Sequence, residues 1–512
     1  MNAKLRRQCR ERKRRLLRRI DQREGVRRTP MIAPPRAKYE LAEKPQAVAC
    51  GGLGMIMELI QHTGLRNQIN RAVSVLKLYA PYDEADHVLN IALNLLAGGT
   101  CLEHLEERRN DEAYLDALGA PRIPDPTTAG DFCRRFDELK TLLLLQAINR
   151  ARETVWRRQP KEFFRQATIE ADGTMVETRG EKKEGIGMNH KGQWGYHPLV
   201  VSLAETQEVL YLANRPGNRP SHEHAAFYFD LAIDECRRAG FEKITLRGDT
   251  DFSLTEHFDR WDDDGVEFVF GLDAMPNLVE IAENLDESAW TRLRRKPRPS
   301  SGKLRARRPN HKEAFVREKG YKNLKLRGES YAEFDYRPTK CSRDYRVVVV
   351  RKTIDVEQGQ SRLFDEVRYF FYVTNATRSD RSARKVVASA NRRCNQENTI
   401  AQLKASGALA APLDSLASNG AYMAMASLAW TLKCWCGLMI RPQGRQDERA
   451  AQQDVRRHVM RMEFATFLNA FMQVPAQIIR TARRLVWRLL TYRPSVDALL
   501  LMHASLRRPL RC

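Results

Sequence analysis

The spacing of apolar residues divides the chain into a helical first part, a middle rich in strands, and a helical end. Between about 47 and 165, apolar residues recur at helical spacing in runs that glycine and proline interrupt. From about 165 to 378 the pattern alternates or forms short apolar runs, as strands do. After Ser379, helical spacing returns and predicts helices to the end of the chain.

The last helical run of the first part carries a basic pair. Thr127 or Thr128 can cap a helix that presents Arg134 and Arg135. A short helix, a turn and a second capped helix with basic side chains are typical of a helix-turn-helix unit that reads DNA. Helix pairs joined by proline turns are also common without that role, so the pattern leaves both interpretations open.

The start of the middle part has the order of an α/β core. A strand over 167–171 and further strands over 196–215 precede a helix that Ser221 is predicted to cap and Gly240 to end. A short strand with an acidic turn follows, and apolar residues return over 266–272. The order strand, strand, helix, strand, strand indicates an α/β core.

The stretch from 274 to 378 departs from that core. Residues 291–312 include many cations and no acid, which predicts an exposed loop beside nucleic acid. Strand patterns resume over 345–354 and 367–375. The stretch therefore resembles a β-rich insertion of the kind that can interrupt a nuclease core.

Charge narrows the class of partner. The formal net charge is +23 and the pI is about 9.7, and so basic a surface usually meets a polyanion. Nucleic acid is the first expectation, with a membrane surface or a ribosome second. Residues 1–46 form a basic segment that we expect to be flexible, and that either lies on DNA phosphates or is simply solvated.

Cysteine usage and hydropathy indicate a soluble protein of a reducing cytoplasm. The ten cysteines show no zinc-binding spacing, and the close pair Cys434 and Cys436 is interpreted as two small apolar residues of a buried helix. The longest apolar stretch, 421–432, is only about half the length that crosses a bilayer. No apolar signal-peptide core follows the basic N-terminus, so we expect no contact with a membrane.

Asp172 is the first candidate for metal-dependent chemistry. It ends an alternating strand, and Gly173 after it lets the backbone turn close to a phosphate. An acid at the end of a core strand is costly unless it binds or pairs with something. Glu170 points to the same strand face and is a spare candidate.

Two further acids complete a possible metal site. Asp249 and Asp251 both follow the strand that begins near Ile244, and either can be a ligand or the turn residue. Glu397 lies on a predicted helix with Arg393 one turn before it and Lys404 two turns after it. An ion pair between Arg393 and Glu397 is the alternative explanation. Carboxylates brought together in space bind hard Mg²⁺ or Mn²⁺, and two such ions assist cleavage of DNA.

Taken in order, these residues resemble the DDE transposases of bacterial insertion sequences, in the IS4-like superfamily and most closely the IS1380 group, over about 47–440. The family signature Tyr-x2-Arg-x3-Glu-x6-Lys matches at Arg393, Glu397 and Lys404, whereas Ala390 stands at the Tyr position. The resemblance implies an RNase H-like core, selects Asp249 over Asp251, and gives Arg393 and Lys404 the role of holding DNA phosphates near the scissile bond.

The predicted architecture follows from pattern and resemblance together. It comprises a basic arm (1–46), a helical DNA-binding domain (47–160), an RNase H-like core in two parts (161–273 and 379–440), a β-rich insertion (274–378) and a basic helical C-terminal region (441–512).

The predicted function is a transposase that binds terminal inverted repeats and cuts and joins DNA strands with Asp172, Asp249 and Glu397. The expected partners are double-stranded DNA, both element ends and target, and a second protomer, since two ends must be cut together. Chromosomal DNA in a bacterial cytoplasm is the expected location. A catalytically decayed or regulatory DNA-binding protein and another RNase H-like nuclease are the alternatives.

Overall fold

The computed structural model describes residues 3–21, 43, 46–77, 81–294, 325–357, 360–392, 394–481 and 484–506. The chain forms two compact units. The first, here called the helical unit, comprises Met1–Phe163, Gly173–Arg219 and Asn398–Cys512. The second, the sheet unit, comprises Phe164–Asp172 and Pro220–Glu397. The basic loop predicted at 291–312 lies almost entirely outside the described residues.

Over the described residues the structure is mixed α/β, with many helices. The helices are Ala3–Asp21 (α1), Leu53–Thr63 (α2), Leu65–Ala72 (α3), Glu84–Leu96 (α4), Leu105–Arg109 (α5), Glu112–Leu118 (α6), Pro126–Cys133 (α7), Glu138–Trp156 (α8), Ala225–Ala239 (α9), Phe258–Asp263 (α10), Pro276–Glu283 (α11), Ala383–Asn391 (α12), Cys394–Ala405 (α13), Leu416–Leu438 (α14), Gln446–Arg461 (α15), Phe464–Phe467 (α16) and Ser495–Leu506 (α17).

The strands vary in length from two residues to 15. They are Ala47–Val48 (β1), Ala167–Gly173 (β2), Val176–Glu177 (β3), Gly187–Met188 (β4), Trp194–Tyr196 (β5), Leu199–Leu203 (β6), Glu208–Ala213 (β7), Ile244–Gly248 (β8), Glu267–Leu272 (β9), Thr291–Arg292 (β10), Lys325–Tyr336 (β11), Tyr345–Glu357 (β12), Gln360–Thr374 (β13), Ala476–Arg480 (β14) and Leu485–Leu489 (β15).

Helix α14 forms the centre of the helical unit. Ser415 and Ser418 close a reciprocal capping box at its start, and the helix is buried along almost its whole length. The prediction that Cys434 and Cys436 are buried is confirmed, and burial raises the pKa of the Cys434 thiol to about 12. Within the described part of the chain, no helix is long and apolar enough to cross a membrane.

A buried carboxylate fixes α8 against α14 and β7. Glu208 Oε1 accepts from Arg152 Nε at 3.0 Å and from Trp435 Nε1 at 2.7 Å, and its Oε2 accepts from Trp156 Nε1 at 3.0 Å. Arg152 and Glu208 are both completely buried. A buried charge is tolerated when its hydrogen-bonding capacity is filled in this way, so the network fixes the register of these elements.

The sheet unit is built on parallel strands that an antiparallel ribbon extends. Strands β2, β8 and β9 are parallel neighbours, and β13 joins β9 antiparallel, with Phe371 opposite Leu272. The order within this unit is β10-β11-β12-β13-β9-β8-β2. Strands β11, β12 and β13, which lie in the predicted β-rich insertion, therefore continue the sheet to which β9 belongs.

Alternation along β9 places two different cores on the two faces of this sheet. Phe268 and Phe270 stack on Phe258 of α10, with centroid distances of 4.4 and 5.8 Å. The intervening Val269 joins a cluster of small apolar residues from β12 and α12. Helix α12 thus covers the face opposite to the aromatic cluster.

Two boundary predictions in the helical unit are wrong. Asp125 caps α7 by accepting from Thr128 N at 2.8 Å, so neither Thr127 nor Thr128 is the cap. The predicted helical run that carries Arg134 and Arg135 also breaks after Cys133, and Asp137 caps a second helix, α8. Acidic caps replace threonine because Asp accepts from the helix N–H groups at both starts.

The helix predicted to begin at Ser221 also starts later than expected. It begins at Ala225, after His224 at a φ of 60°, and Ser221 does not cap it. The prediction that Gly240 ends this helix is confirmed, since Gly240 has a φ of 93° and its N–H bonds to Arg237 and Cys236 carbonyls.

The ends of the chain also differ from prediction. Residues 3–21 form α1, whereas a flexible arm was expected. The C-terminal region is not wholly helical, because β14 and β15 form a hairpin that pairs with β1. In β15 the partly buried positions alternate with exposed ones, a period-2 pattern that the helical interpretation of this basic segment overlooked.

Candidate active site

Asp172 lies where β2 ends, as its sequence predicts. The strand is buried from Ala167 to Ala171, and Asp172 is the first residue that solvent partly reaches. Strand β2 pairs in parallel with β8, so their carboxyl ends lie at the same edge of the sheet. Asp249 follows β8 directly. The structure therefore places the two predicted aspartates at the ends of neighbouring strands.

The turn after β8 assigns different roles to its two aspartates. Asp249 Oδ1 accepts from Asp251 N at 3.1 Å and caps the short 3-10 turn Thr250–Phe252. The Asp251 side chain is exposed, and Asp249 is half-buried. The Asp249 side chain thus caps the turn, and Asp251 contributes its backbone N–H to that contact.

Two glycines lie against this turn at positions where a side chain would collide with it. A Cβ at Gly248 would lie 2.6 Å from Phe252 Cβ, and Phe252 is fully buried. A Cβ at Gly271 of β9 would lie 3.0 Å from Thr250 N and 3.3 Å from the Asp249 carbonyl carbon. The backbone that carries Asp249 therefore rests directly on β9.

A buried ion pair connects the strands that carry the two aspartates. Glu170 and Arg247 are directly opposite in the β2–β8 register. Glu170 Oε1 lies 2.7 Å from Arg247 Nε and 2.6 Å from NH2, and the side chains are 2% and 5% exposed. The interpretation of Glu170 as a spare metal ligand is therefore corrected, since it is the buried partner of Arg247.

Arg247 also reaches the helix that leads to Glu397. Its NH1 donates to the Ser389 carbonyl, 3.1 Å away, near the end of α12. One guanidinium therefore bonds β2, its own strand β8 and α12 together. This residue was not predicted from the sequence, although an arginine inside the short apolar strand that begins at Ile244 was the available signal.

Glu397 lies in the first turn of α13 and its side chain is exposed. The prediction of a helix around it is confirmed. Arg393 lies outside the described residues, so its proposed role and its pairing with Glu397 stay predictions. Lys404, in the last turn of α13, donates from Nζ to the Met175 carbonyl at 2.7 Å.

Ala390, which stands at the Tyr position of the family signature, is a buried residue of the sheet unit. Ala390 is 5% exposed and packs in the cluster that includes Val269, Val348 and Val350. Position 390 therefore contributes to the core of the sheet unit.

The basic pair predicted to contact DNA lies beyond α7 and not on it. Arg134 is the C-cap, and its Nε donates to Asp414 at 3.0 Å while NH1 donates to Asp131 at 2.8 Å. The Asp414 contact raises the pKa of Arg134. Arg135 is exposed, and its NH1 donates to the Val75 carbonyl at 3.4 Å.

The donor chemistry of the three acids fits a hard divalent ion, because all three supply carboxylate oxygens. Asp172 lies near the end of β2, Asp249 directly follows the adjacent parallel strand β8, and Glu397 lies in the first turn of α13. Among the described residues, no group of three or more His, Cys, Asp and Glu side chains forms a ready-made metal cluster. The three candidate ligands all belong to the sheet unit.

Acids at the ends of neighbouring parallel strands suit metal-assisted phosphoryl transfer, and comparison with known families agrees with that class of protein. The family model described as Transposase DDE domain group 1 matches residues 45–510, and the chain belongs to that family. The protein is a DDE-type DNA transposase, and such enzymes generally use divalent metal ions.

Comparisons with individual proteins add little to the family match. No curated protein matches the chain. Among solved structures, a synaptic complex of piggyBac transposase with hairpin DNA is similar at 10% identity, with 82% of each chain covered and a TM-score of 0.33.

Proposed function

We propose that Asp172, Asp249 and Glu397 are the catalytic acids of this transposase and hold two Mg²⁺ or Mn²⁺ ions. The observation that carries this proposal is the parallel pairing of β2 with β8, because it puts Asp172 and Asp249 at one edge of the sheet. The Arg247 bond to Ser389 supports the third member, since it fixes the end of the helix that precedes α13.

The chemistry divides between the ions and the protein. When bound, two divalent ions would supply activation of an attacking oxygen and stabilisation of the leaving oxygen of a phosphodiester. Asp172, Asp249 and Glu397 supply the ligands, so water and then a DNA 3′-OH can attack without a covalent protein nucleophile. Arg393 and Lys404 hold DNA phosphates near the scissile bond, and their positive charge suits that task.

We assign the protein to the IS4-like superfamily, within its IS1380 group, with an RNase H-like core. Support comes from the order along the chain: strand β2, hairpin β6–β7, helix α9, then β8 and β9. The signature spacing of Arg393, Glu397 and Lys404 adds to it. The predicted regions 1–46, 47–160, 161–273, 274–378, 379–440 and 441–512 remain the proposed functional division of the chain.

The proposed substrates are the terminal inverted repeats of an insertion sequence and its target DNA. The net charge of +23 suits contact with long stretches of duplex, and Arg134 and Arg135 are proposed contacts in the helical region. Two ends must be cut together, so we propose a homodimer acting on chromosomal DNA in a bacterial cytoplasm.

The neighbouring acids of the β8 turn provide a matched test. Asp249→Asn and Asp251→Asn change the same charge two residues apart, in the same turn. We expect Asp249→Asn to abolish metal-dependent cutting of a duplex that carries an element end, with end binding retained, and Asp251→Asn to retain cutting. The reverse pattern would move the ligand to Asp251. Binding without cutting by the unmodified protein would indicate a decayed or regulatory DNA-binding protein.

A further inference from the structure

Helix α1 lies before the region that the family model matches, yet it is packed against the C-terminal part of the helical unit. Cys9 is 9% exposed, and it hydrogen-bonds to Asp497 of α17. Burial raises the pKa of the Cys9 thiol, and the Asp497 charge adds to this. Arg12 NH1 donates to the Leu489 carbonyl of β15 at 3.0 Å. These contacts anchor one face of α1.

The opposite face of α1 is strongly basic. At 100° per residue, Arg7, Arg10, Arg14 and Arg18 form a stripe roughly opposite to Cys9. Their side chains are exposed, as are those of other cations on the helix, namely Lys4, Arg6, Arg12, Lys13 and Arg15. Among the α1 side chains that the structure describes, Glu11 is the one acid, and it pairs with Arg7 at 3.5 Å.

The strand on which α1 docks is itself basic and exposed. Arg484 and Arg488 alternate with Val486 on the exposed side of β15, whereas Trp487 points the other way and lies against Gly54. Arg480 at the end of β14 is also exposed. A two-stranded ribbon and an α-helix are the two elements that the DNA major groove admits, and both carry cations here.

We propose that α1 and the hairpin β14–β15 form one surface that binds the phosphate backbone of duplex DNA independently of sequence. Like charges so dense on an anchored helix repel one another unless a polyanion neutralises them, and duplex DNA carries one charge per about 1.7 Å of axis. This surface adds affinity for DNA, and it belongs to the helical unit, whereas the proposed catalytic acids belong to the sheet unit. It deepens the DNA binding that the proposed function requires and does not depend on which acids bind metal.

Salt dependence of binding tests the surface directly. The full-length protein would be titrated in EDTA, so that nothing is cut, with a random-sequence duplex at several salt concentrations. The variant Arg7→Gln/Arg10→Gln/Arg14→Gln should bind roughly 10-fold more weakly and reduce the slope of log affinity against log salt by about 2 to 3 units. The control Arg449→Gln/Arg457→Gln/Arg461→Gln removes as many exposed cations from α15 and should change the slope by less than one unit.

Equal slopes in the stripe variant and in the unmodified protein would overturn the proposal, as would equal effects of the two triple variants. Equally strong competition by single-stranded DNA would overturn the duplex assignment. A second measurement needs no variant: duplex DNA should slow chemical modification of the exposed Lys4 amine, which lies on the side of α1 opposite to Cys9, and an unchanged rate would contradict contact along α1. The two proposals can fail separately. An unaltered salt slope in the triple variant of α1 would overturn this surface alone, and retained cutting by Asp249→Asn would overturn the catalytic assignment alone.

Discussion

Arg247 and Glu170 form a buried ion pair across β2 and β8, and each stands two residues before a proposed catalytic aspartate. Residues two apart in a strand share a face, so the pair sets the spacing of the strand ends that carry Asp172 and Asp249. Removing one partner of such a buried pair leaves an uncompensated charge, which costs more than removing both.

The first prediction therefore compares single and double changes of this pair. Arg247→Met should lower the free energy of unfolding by about 3–5 kcal/mol, and Glu170→Met/Arg247→Met should recover a large part of that loss. Chemical denaturation of the unmodified protein, the single variant and the double variant measures these free energies of unfolding. Because Arg247 also holds Ser389, the double variant should remain impaired in DNA cutting after its stability has recovered. Full recovery of cutting would show that the pair has only a stabilising role.

The second prediction concerns the contact between β9 and the Asp249 turn. Gly271→Ala should push the Thr250 backbone by a few tenths of an ångström and lower the rate of cutting roughly 10-fold, since a misplacement of about 1 Å costs about 100-fold. Gly328→Ala is the matched control, because a Cβ there would meet nothing within 4 Å. Thermal unfolding of both variants separates a displaced turn from an unfolded one. Equal rates for the two variants would rule out positioning of Asp249 by β9.

The third prediction is a pH dependence of stability that arises from His87 in α4. Burial, together with the nearby positive charge of Arg135, lowers the pKa of His87 to about 4, and the charge of Asp83 opposes the shift. The ring stacks on Phe132 at a centroid distance of 4.2 Å. A depressed histidine pKa means that the unfolded chain binds the proton more readily. The stability that neutral His87 contributes to the folded state is thus fully present above the unfolded pKa near 6.5 and is lost as pH falls towards 4.

The loss from this one group should be about 3 kcal/mol between pH 7 and pH 4. His87→Phe keeps the stacked ring and removes the titrating group. Urea denaturation of both proteins across this range should therefore give a shallower pH dependence in the variant. Parallel curves would show that His87 does not titrate in the folded state as its burial implies.

The sequence was most informative where chemistry and local pattern coincide. Asp172 and Asp249 follow short apolar runs, and Glu397 lies in a helical run, so local periodicity was enough to place each on its element. The pairing of Glu170 with Arg247 was out of reach, because 77 residues separate them and only the parallel register brings them together.

Tertiary pairing also explains what the sequence could not show elsewhere. Strand β13 joins β9 through partners about a hundred residues apart in the chain, so the sequence alone could not show that the β-rich stretch continues the core sheet. The segment around Trp487 has both helix-forming and alternating character, and its pairing with β14 decides for a strand. Helix α1 was expected to be flexible because its charges conceal the single anchored face around Cys9.

The most direct test of the central claim uses a labelled duplex that carries the ends of the element flanking the gene. The purified protein and its Asp172→Asn variant would each be incubated with this duplex in Mg²⁺ or in EDTA, and the cut positions mapped. We predict cuts at the repeat boundary with the unmodified protein in Mg²⁺, no cuts in EDTA, and no cuts with the variant despite normal binding. Boundary cuts of equal yield from Asp172→Asn would contradict the assignment of the active site.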